Sequence, residues 1–413
     1  MLKRVFALVL SMAMLLSLGA AFAEGTIEIE NGKTAIAAFL PMTGNHMQYG
    51  EHISNGMKLA VKHWNERTGG INGQEVTLEI FDDRSDATEC INIANQIVEN
   101  KDKYIFASGS FASGVVMPAA PVYEDAKLLM FCPCGSHQDF CNLGDYIFAI
   151  AMTAKYEQAL YFRFVFEELG GKNVGMIFPA DSFLDLEIQL GEWYAERNDA
   201  SFVYQEYVAG STKDFTPIIS TLYGNNDLDV VLIGGDYANS AAIIQQIDNL
   251  GLRDQATLVT TGQTNVPEFI DIMGATGEGV ISLSSAPAYY DSYLETMEIT
   301  PTLRRFIDDY DAEYGVRANA FAGQGYDTMM VVLNCVEKYQ TTDSDVLREH
   351  VGELIGMEEP VGGPTLEYDA ELNQMIKAMC CSEIKNGEFV AYDKGYFTLT
   401  AEERAAVTEF AGY

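Results

Sequence analysis

Thr34-Ala-Ile-Ala-Ala-Phe-Leu-Pro-Met-Thr-Gly-Asn-His-Met-Gln-Tyr-Gly50 is the stretch that decides the fold. The apolar run Ala35 to Leu40 stops at Pro41, and a polar, glycine-containing turn follows from Thr43 to Gly50. Ile53, Met57, Ala60, Val61 and Trp64 then recur at helical spacing, and Gly69-Gly70 ends that helix. The pattern is strand, loop, helix. In a parallel sheet such a loop lies at the carboxyl end of a strand, where ligands bind.

The same alternation continues outward. Candidate strands are 33–40, 75–82, 103–109 and 128–132, followed by a second series at 173–178, 202–208, 228–234, 256–261 and 278–283. Helical patterns lie between them. One has Cys90, Ile91, Ala94, Ile97 and Val98 on one face, and another has Ile243, Ile244, Ile247 and Leu250 before Gly251. A third runs from a Thr153 cap to Gly170-Gly171. The reading is α/β, with two doubly wound units in tandem and a first boundary near 147–153. Segment 284–350 is mostly helical, over 301–314 and 319–338, and should pack back on the first unit. Segment 363–398 alternates like short antiparallel strands, with Asn386-Gly387 as a hairpin turn, and should return to the second. Three crossings between two lobes imply a ligand cleft between them.

The chain opens with secretory features. Lys3 and Arg4 precede the apolar core Val5 to Leu18, and Ala21-Phe22-Ala23 is a small-x-small cleavage signal. Residues 1–23 are therefore expected to be a signal peptide cleaved after Ala23, giving a secreted protein, periplasmic or cell-surface. The core is short for a bilayer span, and no later run is apolar enough for one. Removing residues 1–23 takes out two basic residues and no acid, moving the formal charge from −35 to −37. Such a chain is not expected to bind nucleic acid or an anionic membrane, and its acidic surface keeps it soluble. About 390 remaining residues suggest two domains. The seven cysteines cannot all pair within one chain, and a core of this size does not need disulfides.

Taken in order, several short stretches identify a resemblance: Leu40-Pro-Met-Thr-Gly44 with Tyr49-Gly50, Asn65-Glu-Arg-Thr-Gly-Gly-Ile-Asn-Gly73, Phe81-Asp-Asp83, Gly210 with Asp214-Phe215, Gly234-Gly235, Tyr326-Asp327, and Gly363-Pro364 with Tyr368-Asp369. Over residues 33–395 the chain resembles the periplasmic solute-binding proteins of branched-chain amino acid ABC transporters, the leucine/isoleucine/valine-binding type. The resemblance implies the type I periplasmic binding protein fold, two Rossmann-like lobes joined by three hinge strands that close on a solute. The lobes would be 24–148 plus 284–358, and 149–283 plus 359–413. It also implies a non-catalytic monomer that delivers an amino acid or similar small polar solute to a membrane permease, with no cofactor.

An α-amino acid needs N–H groups and hydroxyls for its carboxylate, and carbonyls, a carboxylate or an aromatic face for its ammonium. By resemblance, Ser113 binds the carboxylate, as does Ser136 in the loop Pro133-Cys134-Gly135-Ser136, while Cys134 offers its carbonyl to the ammonium. Ser113 could instead act only as a helix cap. Tyr49 matches an aromatic that touches the solute side chain, and Phe183 a ligand-facing Tyr of the second lobe. Leucine-binding members place a Glu after the strand equivalent to 256–261, where it binds the ammonium. This chain has Gly262-Gln263-Thr264 there, with Glu268 too far along. Either Asp236 takes the ammonium or the solute has none, so a polar amino acid, an amide or another small carboxylate stays open.

Other chemistries fit less well. Cys132, Cys134, His137 and Cys141 are close enough to suggest zinc, but C-x-C-x₂-H-x₃-C is not a common zinc spacing and Cys132 should face a core, so no metal is expected. There is no G-x-S-x-G, Walker loop or H-E-x-x-H. A ligand-sensing receptor module of the same fold is one alternative. An amidase or hydrolase using Ser113 with a distant His, His46 being the nearest candidate, is another.

Overall fold

The computed structural model describes residues 27–224, 226–356, 359–370 and 374–411. The signal segment 1–23 and its cleavage point after Ala23 lie outside the described residues.

Two sheets organise the molecule. The first contains β1 (Ala35–Leu40), β2 (Thr77–Asp82), β3 (Tyr104–Gly109), β4 (Met130–Cys132) and β5 (Ile147–Ala149), in the order β2-β1-β3-β4-β5 and parallel throughout. The second contains β6 (Asn173–Pro179), β7 (Ser201–Tyr207), β8 (Val230–Ile233), β9 (Thr257–Thr260) and β10 (Ile281–Ser284). These five repeat the same parallel winding, as β7-β6-β8-β9-β10. β1, β3, β4, β5, β8 and β10 are buried at every residue, as expected of parallel strands covered on both faces. Segment 147–149, read as a boundary, is the fifth strand of the first sheet; at three residues it is too short to carry a pattern of its own.

The later segments pack on both sheets. Helices Pro301–Tyr314, Ala320–Tyr339 and Ser344–Ile355 return to the first lobe. Tyr310 pairs with His52 at 3.1 Å and Tyr326 with His63 at 3.0 Å, both histidines lying on helix Met47–Thr68. That helix and Ala320–Tyr339 touch backbone to backbone: a Cβ at Gly56 would lie 1.9 Å from the Ala322 carbonyl oxygen, so only glycine fits. After a separate ribbon of β11 (Glu367–Asp369) and β12 (Gln374–Ile376), β13 (Met379–Lys385) and β14 (Glu388–Phe397) join the second sheet antiparallel beside β10. Asn386 and Gly387 turn that hairpin with φ of 53° and 79°.

Motif residues hold the loops at the sheet ends. Asp82 accepts the Met42 and Thr43 N–H groups at 3.0 Å each, fixing the loop after β1. Asp83, fully buried, accepts Ser110 Oγ and the Ser85 N–H, so the same acidic pair also holds the loop after β3. Thr153 occupies the N-cap of helix Ala154–Arg163 but makes no side-chain cap bond; its N–H instead meets the Met375 carbonyl at 3.3 Å, tying the first crossing to the third.

Candidate functional site

The carboxyl ends of both sheets face a cavity of about 560 Å³ between the lobes. Its volume is in the range of small-molecule sites.

The first lobe supplies hydroxyls. Ser113 opens the helical run after β3 and lines the cavity, its Oγ accepting the His137 N–H at 3.3 Å. Ser136 and Cys134, from the loop after β4, line it too, and the Cys134 Sγ lies 3.1 Å from Gln324 Oε1. Gly135 sits behind this wall, donating its N–H to Cys132 Sγ at 3.0 Å. Cys132 is fully buried, and among the described residues no three His, Cys, Asp or Glu side chains are placed to hold a metal ion. His46 lines the cavity with its Nδ1 unpartnered; burial lowers its pKa, against the nearby charge of Asp236.

Tyr49 is placed differently from the expectation. The turn read to Gly50 ends earlier, because the helix begins at Met47. On that first helical turn Tyr49 points away from the cavity and stacks on Phe111, with centroids 4.4 Å apart and planes 4° apart. Phe111 forms the wall instead. The Tyr49 hydroxyl reaches the second lobe, donating to the Gln263 carbonyl at 3.0 Å and accepting the Tyr237 N–H at 3.1 Å. His52 adds a contact to Glu268 Oε1 at 3.1 Å. Tyr49 is thus a latch between the lobes. Tyr49→Phe removes both bonds without touching the cavity wall, a loss of about 1.5 kcal/mol from the closed state. Solute affinity measured by equilibrium dialysis should fall about tenfold; unchanged affinity would mean closure does not depend on this latch.

The second lobe supplies acids. Phe183, Asp236 and Gln263 line the cavity. The Phe183 ring lies 5.6 Å from His137 across the mouth. Asp236 caps helix Tyr237–Asn249, accepting the Asn239 N–H at 2.8 Å and its Nδ2 at 2.6 Å, so both carboxylate oxygens are engaged by its own helix. Sequence reading missed Glu157, Gln158 and Tyr161 on helix Ala154–Arg163, and Asp181 and Glu187, all on the cavity wall. The helix is buried nearly all round, with Lys155, Tyr156, Gln158, Ala159, Leu160, Tyr161 and Phe162 all buried, but its mixed polar sequence gives no signal of that burial.

Tyr161 donates to Glu157 Oε1 at 3.0 Å and accepts the Gly262 N–H at 3.2 Å, placing Glu157 beside the loop that lacks an acid. Burial pushes the Glu157 carboxyl up to about 7, against the pull of the Tyr161 hydroxyl and the charge of Lys377. Burial, aided by the charges of Asp181 and Glu157, drives Glu187 well above the usual carboxylate range. Among the described residues, no lysine or arginine lines the cavity.

Comparison with known proteins places this architecture. A family model described as "Periplasmic binding protein" matches residues 33–388. The leucine-, isoleucine-, valine-, threonine-, and alanine-binding protein of Pseudomonas aeruginosa is 24% identical over 376 residues, 91% of this chain and 92% of its own length. The Leu/Ile/Val-binding protein of Escherichia coli is 24% identical over 292 residues, 70% of this chain and 76% of its own. Among solved structures, the branched-chain amino acid transporter substrate binding protein of Streptococcus pneumoniae, in complex with isoleucine, superposes with a TM-score of 0.77 at 21% identity, covering 89% of this chain and 100% of its own. A solute binding protein of an ABC transporter from Rhodopseudomonas palustris, in complex with 3,4-dihydroxy benzoic acid, does so with a TM-score of 0.76 at 17% identity, covering 91% and 100%. At these identities the structures speak to the fold, whereas the family model spans most of the sequence. The chain belongs to the periplasmic binding protein family.

Proposed function

We propose that this chain is the extracytoplasmic solute-binding protein of an ABC importer. It captures an amino acid or similar small polar solute between its lobes and hands it to a membrane permease. The observation that carries this reading is a cavity walled from both lobes, with hydroxyls on one side and carboxylates on the other. Ser113 and Ser136 hold the solute carboxylate. The Cys134 carbonyl and Glu157 hold the ammonium, Glu157 standing in for the acid missing at Gly262-Gln263-Thr264. The protein acts as a monomer, without turnover of the solute, after export and cleavage behind Ala23. Residues 24–148 plus 284–358 form one lobe and 149–283 plus 359–413 the other.

A solute that touches both lobes favours the closed state by its differential affinity for closed over open. A thermal-shift screen across amino acids, amides and small carboxylates tests the reading, because a ligand of the native state raises the unfolding midpoint. At least one amino acid should raise it. Ser113→Ala should cost that amino acid about 2 kcal/mol, or 30-fold in affinity, the worth of a hydrogen bond to a charged group. No shift from any amino acid would refute the amino-acid reading, and no shift from any compound of the screen would refute the solute-binding reading altogether.

A further inference from the structure

The second-lobe wall offers more acceptor capacity than one α-ammonium uses. Glu187 is only 5% exposed, lines the cavity, and its Oε2 has no hydrogen-bond partner. Gln158, 7% exposed, also lines the cavity, and its Oε1 has no partner either. Leaving a buried acceptor unsatisfied is costly, and more so when it is charged. Two in one cavity call for a ligand rich in donors.

The two glutamates differ in what surrounds them. Glu157 takes the Tyr161 hydroxyl and feels the charge of Lys377 behind it. Burial, then the charge of Cys132, raises the Cys134 pKa, and Glu157 adds a smaller push, so Glu157 lies toward the loop that carries Ser136. Glu187 has only other acids, Asp181 and Glu157, acting on it. Asp181 stands at the rim, exposed to solvent. Phe178, Phe183 and Tyr207 complete this part of the wall, with π faces suited to a cation.

We propose that the solute is a dibasic α-amino acid whose side-chain ammonium or guanidinium is received by Glu187 and Gln158, while Glu157 takes the α-ammonium. The proposal rests on the amino-acid reading above and narrows it. An aliphatic side chain would leave both acceptors without a donor and Glu187 without the charge that would hold it ionised. A cationic side chain would supply both the charge and the missing donors, and its length would span the cavity from the Ser113 side to the second lobe.

Titration calorimetry of the full-length mature protein with L-lysine, L-ornithine, L-arginine, L-leucine and L-glutamine tests it, on the native protein and on Glu187→Gln. At least one of the three dibasic amino acids should bind, with L-leucine at least 100-fold weaker. Glu187→Gln should weaken that dibasic ligand by 30-fold or more while changing L-glutamine affinity less than threefold. The variant should fold with an unfolding midpoint no lower than the native one, since it removes an uncompensated buried acid. If L-leucine or L-glutamine binds as tightly as the dibasic ligands, or if Glu187→Gln leaves dibasic affinity unchanged, the proposal falls and the amino-acid reading survives. If none of the five binds, and none of the other amino acids shifts the unfolding midpoint, both fall.

Discussion

Asp327→Ala is expected to destabilise the protein by about 3–5 kcal/mol, the cost of leaving two buried backbone N–H groups without their acceptor and a buried lysine without its nearest counter-charge. Asp327 lies on helix Ala320–Tyr339 and is 1% exposed. Its two oxygens accept the Val361 and Gly362 N–H groups at 2.9 Å and 2.8 Å, fastening the third crossing to the first lobe. Burial pushes its carboxyl up to about 6, against the charge of Lys377 and those two N–H groups. Lys377 is equally buried, with Nζ donating to the Gly362 carbonyl at 3.3 Å. Without Asp327 the ammonium loses its principal counter-charge and two backbone N–H groups lose their acceptor. Urea unfolding measures the loss directly. The double variant Asp327→Ala with Lys377→Met should recover part of it, because the stranded charge is gone. A loss below about 1 kcal/mol for the single variant would show that the Asp327 carboxylate contributes little.

The second large effect is a pH dependence centred on Glu157. Its carboxyl is held at about 7 in the folded protein, against an ordinary glutamate value of about 4.3 in the unfolded chain. Between those values the folded state binds the proton more tightly. This group's stabilisation is therefore complete below about pH 4.3 and is lost as pH rises through 7, at about 1.4 kcal/mol per unit, or about 4 kcal/mol in all. Facing it are the Tyr161 hydroxyl, Lys377 and Glu187. Glu187 is shifted the same way, and the Lys377 charge opposes the shift. Glu157→Gln keeps the shape and a hydrogen-bond acceptor but cannot titrate. The stability of the ligand-free native protein relative to this variant should therefore fall by about 3 kcal/mol between pH 5 and pH 8. A pH-independent difference would mean that Glu157 is not desolvated. A bound cation reverses the sign, so the stabilisation by a cationic solute should grow over the same interval.

The winding was legible because parallel strands buried on both faces read as short apolar runs between helical patterns. All nine strands expected from the sequence occur, within three residues at either end. The motifs Phe81-Asp-Asp83 and Tyr326-Asp327 were legible as markers, yet their physical work is structural: the first pins two loops, the second fastens a crossing. The first-lobe wall was legible because its residues directly follow strands. The second-lobe acids were not, because Glu157 and Glu187 lie within helices, where an acid on the sequence alone reads as a solvated face. Only the three-dimensional crossing after β5 turns that face toward the cavity. Tyr49 was displaced by four residues of helix that the sequence read as turn.

Small-angle scattering tests the central claim, that solute closes the two lobes on one another. Profiles would be recorded for the ligand-free protein and at saturation with whichever amino acid raises the unfolding midpoint most. The closed arrangement, latched by Tyr49 on Gln263 and Tyr237 and by His52 on Glu268, predicts a smaller radius of gyration at saturation. An identical profile with and without saturating solute would contradict it.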